Sequence, residues 1–149
     1  MPRRRTNKPA PESTRTPKLP HWDSGKGHCR WCGDPVLKEG KPNMRALWHP
    51  KCLVLYKLAT RSVQQRLACW RRDKGKCTMC GTQHVYKGDW NADHIIPLHL
   101  ANQLDVSDPN YLKLWGVSNL QTLCADPCHR TKSAAEMVAY HAARRVPLI

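Results

Sequence analysis

Apolar residues recur at helical spacing in the first half of the chain. Leu53 to Leu58 continue as a short helix, and Ser62 is a favourable N-cap for a second one. In this second helix Val63, Leu67 and Trp70 stand at i, i+4 and i+7, which predicts one apolar face. The opposite face is polar and basic, with Gln64, Gln65, Arg66, Arg71 and Arg72.

The second half of the chain predicts two strands followed by a helix. Trp90 to Ile96 can form a strand that Pro97 ends, and Ser118 to Leu123 can form the second. Asp126 to Arg145 has an alanine-rich centre and basic residues near its end, which favours a helix. The order strand, loop, strand, helix predicts a ββα unit, and the fold class is therefore α+β.

Composition limits the size of the core. The chain has 149 residues, no Phe and 40% hydrophobic residues, which suffices for one domain or two very small ones. Domains of this size usually need a disulfide or a metal as a crosslink. Prolines and basic residues dominate the start, so we expect a disordered tail over residues 1–26. A cysteine-containing knuckle with the basic helix follows over 27–72, and the ββα unit belongs to a domain over 73–149.

Basic residues greatly outnumber acidic ones. The chain has 25 Lys and Arg against 11 Asp and Glu, a formal net charge of +14. This excess predicts a polyanionic partner, most simply nucleic acid bound through its phosphates. The basic side of the helix at 61–72 either contacts that partner or is merely solvated.

Three classes of membrane or export signal are missing from the pattern. No segment combines the broad apolar and basic faces of a membrane-surface helix, and none is long enough to span a bilayer. The N-terminus lacks the apolar core of a signal peptide. We therefore expect a cytoplasmic protein without a membrane partner, whose thiols are reduced.

The spacing of the eight cysteines favours zinc over disulfides. A first set has the pattern C-x2-C-x16-H-x2-C, and its members are Cys29, Cys32, His49 and Cys52. Three thiolates and one imidazole satisfy tetrahedral zinc, which predicts a closed, structural site. A second set has the pattern C-x2-C…C-x3-C, and its members are Cys77, Cys80, Cys124 and Cys128. A zinc ion there would join the start of the ββα unit to the start of its last helix.

Other residues near these sets leave alternatives open. His21 or His28 can compete for the first site, and His84 is a substitute ligand for the second. Cys69 falls near the apolar side of its helix, which predicts a small core residue and not a ligand. A secreted scaffold held by disulfides is the alternative to both zinc sites.

An acid, two histidines, an amide and a lysine remain among the cysteines of the second set. Asp93 offers a hard oxygen and His129 an imidazole, which together suit a divalent ion with positions left for water and phosphate oxygens. His94 points to the other side of a strand and is free to act as a general base near neutral pH. Asn119 can hold the loop and the imidazole in position, and Lys132, on the helical face of His129, can pair with a phosphate.

Together these motifs resemble the HNH endonuclease family. The resemblance covers about residues 66–134, and the family's first His, its Asn and its last His match His94, Asn119 and His129. The segments that carry it are Cys77-x2-Cys80-Gly81, Asp93-His94-Ile95-Ile96-Pro97-Leu98, Asn119-Leu120-Gln121-Thr122-Leu123-Cys124 and Cys128-His129-x2-Lys132. The resemblance implies a small, treble-clef-like ββα-metal fold and cleavage of double-stranded DNA that leaves 5′-phosphate and 3′-hydroxyl ends.

The resemblance also implies roles for single residues. Asp93 and His129 are expected to bind a catalytic ion, His94 to activate water and Asn119 to orient it. That ion is expected to be Mg²⁺ or Mn²⁺, with Zn²⁺ or Ni²⁺ as alternatives, beside two structural Zn²⁺ ions. Residues 95–118 separate the first His from the Asn by somewhat more than is usual, which predicts an inserted short helix.

The first cysteine set also indicates the kind of cell in which the protein is expected. It resembles the zinc knuckle that precedes some HNH modules in bacterial and phage proteins, which places the chain in the cytoplasm of a bacterial or phage-infected cell. Two alternative functions remain open. One alternative is a zinc-stapled nucleic-acid-binding protein without catalysis. The other is a nuclease directed at RNA, because charge does not distinguish RNA from DNA.

Overall fold

The computed structural model describes residues 15–145 of the chain. Within that range the helices and strands are, in chain order, β1 (Leu37–Lys38), β2 (Lys41–Pro42), α1 (Pro50–Thr60), α2 (Ser62–Asp73), β3 (Trp90–His94), α3 (Leu98–Ala101), β4 (Leu120–Cys124) and α4 (Arg130–Arg145). Two 3-10 turns, Leu112–Trp115 and Val117–Asn119, lead into β4, and a π-helical turn, Ala125–His129, leads into α4. The α+β class is confirmed, with two small sheets.

The antiparallel pair of β3 and β4 organises the second half of the molecule. Trp90 lies opposite Cys124, and His94 lies opposite Leu120. Side chains alternate along a strand, so Trp90 and His94 share one face and Asp93 lies on the other. Helix α2 packs on the first face, where its Cys69 forms a buried cluster with Trp90 and Leu120. The second face meets the start of α4, so the sheet separates the two helices.

The segment between the two strands builds its own small core. Ala101 of α3, Tyr111 and Trp115 are buried together with Ala59 of α1. The inserted short helix is confirmed as α3, Leu98–Ala101. This cluster fastens the first half of the chain to the loop that ends at Asn119.

The boundaries of the ββα unit differ from the expected ones for reasons of hydrogen bonding. Strand β3 ends at His94, not Ile96, because the amide N–H and carbonyl of Ile96 both pair with the side chain of Asn119. Strand β4 starts at Leu120, not Ser118, because the residues before it form a 3-10 turn. Helix α4 starts at Arg130, not Asp126, because Asp126 is extended, with φ −140° and ψ 132°.

Helix α2 differs most from its prediction. Ser62 is its first residue and not its cap, since Arg61 stands at the N-cap position between α1 and α2. The predicted apolar face stays at the surface, with Val63 65%, Leu67 42% and Trp70 40% exposed. Cys69 is buried against the sheet instead, which confirms it as a core residue.

Two arginines of the expected wet side of α2 are used inside the fold. Arg66 donates a hydrogen bond to the carbonyl of Trp90 at 2.7 Å and stacks over its indole at 4.0 Å. Arg72 donates to the carbonyl of Leu120 at 2.9 Å and forms a bidentate pair with Asp73. Carbonyls of the sheet thus attract this face of the helix, and these two side chains are not simply solvated.

A disordered tail is expected over residues 1–26, but the part of it that the structure describes packs on the rest of the molecule. Residues 1–14 lie outside the described residues. From Pro17, which is buried, the chain packs on the rest of the molecule: the amide of Lys18 donates to the hydroxyl of Tyr111 at 2.7 Å, and Trp22 meets Trp48 edge to face. Contacts with aromatic side chains therefore hold a segment whose composition predicted disorder.

Among the described helices, none is both long enough and apolar enough to cross a membrane.

Candidate metal-binding and catalytic site

The first cysteine set converges in space. The ligand atoms of Cys29, Cys32, His49 and Cys52 all lie within 4.8 Å of one another. His49 directs Nδ1 toward the cluster, 3.4 Å from Sγ of Cys32, and its Nε2 lies 3.2 Å from the carbonyl oxygen of Pro35. A ligand imidazole usually donates its second N–H to such an acceptor, which fixes its tautomer. Three thiols and one oriented imidazole fit a structural zinc ion.

The second set converges in the same way. The thiols of Cys77, Cys80, Cys124 and Cys128 lie within 4.8 Å of one another and fit a second structural zinc ion. The sequence separates these pairs widely, but Cys124 ends β4 and Cys128 lies in the turn before α4. His84, predicted as a substitute ligand, lies beside this set with Nε2 2.9 Å from Sγ of Cys124.

The chemistry of the thiols favours a bound cation. Burial alone would raise the pKa of Cys29, but backbone hydrogen bonds lower it to about 6. Hydrogen bonds from Thr82 lower the pKa of Cys80 to about 6. Burial and neighbouring thiolates raise the pKa of Cys52 and of Cys124 to about 12. A dication would relieve this repulsion and hold all the thiols of each set as thiolates.

All eight cysteines lie among the described residues, and none of them forms a disulfide there. Seven of the eight belong to the two sets, and Cys69 is the remaining one. The arrangement agrees with reduced, metal-binding thiols and not with a disulfide scaffold.

Asp93 and His129 come together at the far end of the sheet. Oδ1 of Asp93 lies 3.7 Å from Nε2 of His129. Two donors that share an ion, each about 2.1 Å from it, are roughly 3–4 Å apart, so this pair fits a divalent ion. Strand β3 supplies the carboxylate and the turn before α4 supplies the imidazole.

The other oxygen of Asp93 is already used. Oδ2 accepts a hydrogen bond from Nζ of Lys132 at 2.9 Å and one from Nε2 of Gln121 at 3.1 Å. Lys132 also donates to the carbonyl of His94 at 2.8 Å and pairs with Glu136. The carboxylate is thereby held with Oδ1 toward His129. The sequence predicts that Lys132 pairs with a phosphate. In the structure its ammonium group contacts protein oxygens instead.

Asn119 is 4% exposed and acts as a clamp on the loop after β3. Its Oδ1 accepts from the amide of Ile96 at 2.8 Å, and its Nδ2 donates to the carbonyls of Ile96 at 2.9 Å and Leu114 at 2.7 Å. These bonds fix the backbone just beyond His94. The side chain thus holds the loop through backbone groups.

His94 lies next to the carboxylate but on the opposite face of β3. Burial lowers the pKa of its imidazole, although Asp93 opposes this effect, so the neutral form is favoured. Its Nε2 is buried and has no hydrogen-bond partner among the described residues.

Two residues of the site were missed by reasoning from the sequence. Glu136 follows Lys132 by one helical turn, a spacing at which ion pairs form, and this signal was present in the sequence. Gln121 lies directly opposite Asp93 only because of the strand register, which no local pattern predicts.

Comparisons with protein-family models, with curated proteins and with solved structures each gave no match for this chain.

Proposed function

We propose that the protein is a metal-dependent endonuclease of the HNH type that hydrolyses phosphodiester bonds of double-stranded DNA. The observation that carries the proposal is the approach of Asp93 Oδ1 to His129 Nε2, 3.7 Å apart, beside a neutral His94. Asp93 and His129 are far apart in the sequence, and their approach to a distance at which both could hold one ion supports this proposal. The net charge of +14 supports a polyanionic substrate.

The division of labour follows from the side chains. Asp93 and His129 would hold a divalent ion, which when bound neutralises the charge that develops on the phosphate. His94 accepts a proton from the attacking water at Nδ1, because Nε2 is buried. Asn119 keeps the loop after His94 in one conformation, which positions the base.

Lys132 and Gln121 are positioning residues in this proposal. Both donate to Oδ2 of Asp93, so only Oδ1 remains to meet the ion. The exposed basic residues Arg61 and Arg71 are free of the internal contacts that engage Arg66 and Arg72, and they supply contacts to the DNA backbone.

A plasmid-nicking assay with Mg²⁺ or Mn²⁺ and an EDTA control tests the proposal. Substituting His94→Ala is expected to slow cleavage by roughly 100-fold or more, the range lost with a general base, while DNA affinity persists. The matched control is His141→Ala, which removes an exposed histidine of α4. Cleavage by the His94 variant at the rate of the wild-type protein would show that His94 is not the base.

The pairing of Lys132 with Asp93 favours one second candidate, a zinc-stapled nucleic-acid-binding protein without catalysis. The ammonium group already neutralises the carboxylate that the ion needs. The same assay separates the two, since a binding protein retains DNA affinity and leaves the plasmid intact in either metal. Parallel reactions with single-stranded DNA and RNA substrates test the choice of nucleic acid.

A further inference from the structure

An apolar cavity beside α2 has no role in the function proposed above. Its volume is about 470 Å³, and it opens between the exposed side of α2 and the loop before β3. The residues that line it are Val63, Arg66, Leu67, Trp70, Val85, Lys87 and Trp90. Trp90 starts β3, whereas Asp93 and His94 end it, so the cavity lies at the opposite end of the strand from the candidate site.

The cavity is preformed. Trp90 is 2% exposed and forms its floor, with Trp70 stacked on it at 6.2 Å and an interplanar angle of 20°. Arg66 lies over the same indole and donates to its backbone carbonyl, which fixes the guanidinium group. A binding partner would meet an ordered surface and lose little free energy in shaping it.

The exposed side of α2 suits an apolar segment about two helical turns long. Val63, Leu67 and Trp70 follow the spacing of a core-facing helix, yet all three are exposed and form part of the cavity wall. From the first to the last they span roughly 10 Å along the helix axis. This spacing accepts side chains at i and i+3 or i+4 of an amphipathic partner.

The positive charge of the cavity lining favours an acidic partner. The charged residues of the lining are Arg66 and Lys87, and no acidic residue is among those that line the cavity. A second copy of this chain would bring another +14 charges and be repelled. Nucleic acid fits poorly, because most of the wall is apolar.

We propose that this cavity is a docking site for an acidic segment of a partner protein, which inserts apolar side chains between α2 and the loop at Val85–Lys87. The proposal is independent of the nuclease activity, because its residues lie outside the candidate site.

Selection from a random 16-residue peptide library on the full-length, zinc-loaded protein tests it. The selected peptides are expected to carry two or more apolar residues at i and i+3 or i+4, together with Asp or Glu. Substituting Leu67→Ser or Lys87→Glu is expected to weaken their binding by roughly tenfold or more, as at the centre of an interface. The control, Val138→Ser, changes a residue of α4 that is 71% exposed and is expected to leave binding unchanged.

Three results would each overturn the docking site. Peptides that bind the Leu67→Ser variant as tightly as the wild-type protein would place their site elsewhere. Binding of an oligothymidylate that competes with the peptides on the wild-type protein, and that Leu67→Ser abolishes, would make the cavity a nucleic-acid site. Dimerisation of the wild-type protein that Leu67→Ser abolishes, measured by analytical ultracentrifugation, would make it a contact between copies. Far-UV circular dichroism and zinc content of both variants confirm that they are folded.

Discussion

Asn119 is a buried polar residue whose side chain satisfies three backbone groups. The amide of Ile96 and the carbonyls of Ile96 and Leu114 have this side chain as a partner. Such groups cost free energy when they are left unpaired in the interior. The clamp therefore stabilises the loop and also sets the position of His94, which precedes Ile96 by two residues.

Substituting Asn119→Ala is expected to lower the free energy of unfolding by roughly 1–3 kcal/mol or more, because buried backbone groups lose their partners. Urea unfolding at equilibrium measures the change. The control is Asn110→Ala, at an exposed position where a surface substitution is expected to change stability by less than about 0.5 kcal/mol. Equal stability of the two variants would contradict the clamp.

At the scale of elements, α2 is the piece that joins the two halves of the molecule. Cys69 enters the buried cluster on the sheet, and Arg66 binds the start of β3. At its end, Arg72 and Asp73 connect the helix to β4, since Arg72 reaches the carbonyl of Leu120 and Asp73 accepts from the hydroxyl of Thr122 at 2.8 Å. A helix predicted to pack by its apolar stripe is instead held largely by polar contacts.

The carboxylate of Asp73 is expected to make stability depend on pH at the acid end. Hydrogen bonds from Arg72 lower its pKa below the usual 3.8. A group with a lowered pKa in the folded state contributes stability above its unfolded pKa, and this contribution is lost as the pH falls through the folded value. Substituting Asp73→Asn should therefore reduce stability at neutral pH and flatten its decline below about pH 4.

Thermal unfolding between pH 2.5 and 7 checks this expectation. At neutral pH the Asn variant is expected to lose roughly 1–2 kcal/mol, a figure reduced because Arg72 is partly exposed to solvent. Asp108→Asn, at a position outside the helix–sheet contact, is the charge-matched control. The same acid-range slope in all three proteins would rule out Asp73 as its source.

For the whole molecule, several small clusters replace one large core. Most of the buried apolar residues in the described range fall into three groups, one of which consists of three ligand cysteines and Leu123. So little apolar burial gives limited stability, and the two cysteine sets supply the crosslinks. Each set joins segments that are distant in the chain, which removes much of the freedom of the unfolded state.

Zinc is expected to bind at two ions per chain and to be required for the folded state. Elemental analysis of the purified protein measures the stoichiometry, and substituting Cys77→Ser should reduce it to one. Cys69→Ser changes a buried cysteine outside both sets and should retain two ions. Removal of zinc by a chelator should abolish cooperative thermal unfolding, because structural zinc contributes directly to folding.

A stoichiometry of two zinc ions in the Cys77→Ser variant would contradict the second site. Cooperative unfolding that survives complete zinc removal would show that the apolar clusters suffice.

Features with a local cause could be predicted from the sequence. Cysteine spacing predicted both metal-binding sets, and these converge as expected because close pairs already fix two ligands each. The order of strands and helix followed from short-range patterns. Asp93 and His129 lie 3.7 Å apart, and their binding of one ion stays a prediction. The nuclease chemistry itself stays a prediction that rests on these residues.

Which side of each helix or strand is buried depends on the tertiary structure and could not be predicted from the local pattern. The stripe of Val63, Leu67 and Trp70 remains exposed because the sheet offers carbonyls that Arg66 and Arg72 bind, and helical spacing cannot reveal where those acceptors lie. Lys132 pairs with Asp93 for the same reason, since strand register and helix docking bring together two charges that are distant in the chain. The short-range pattern of residues predicts the metal ligands and the helices and strands. Long-range packing determines which residues they contact.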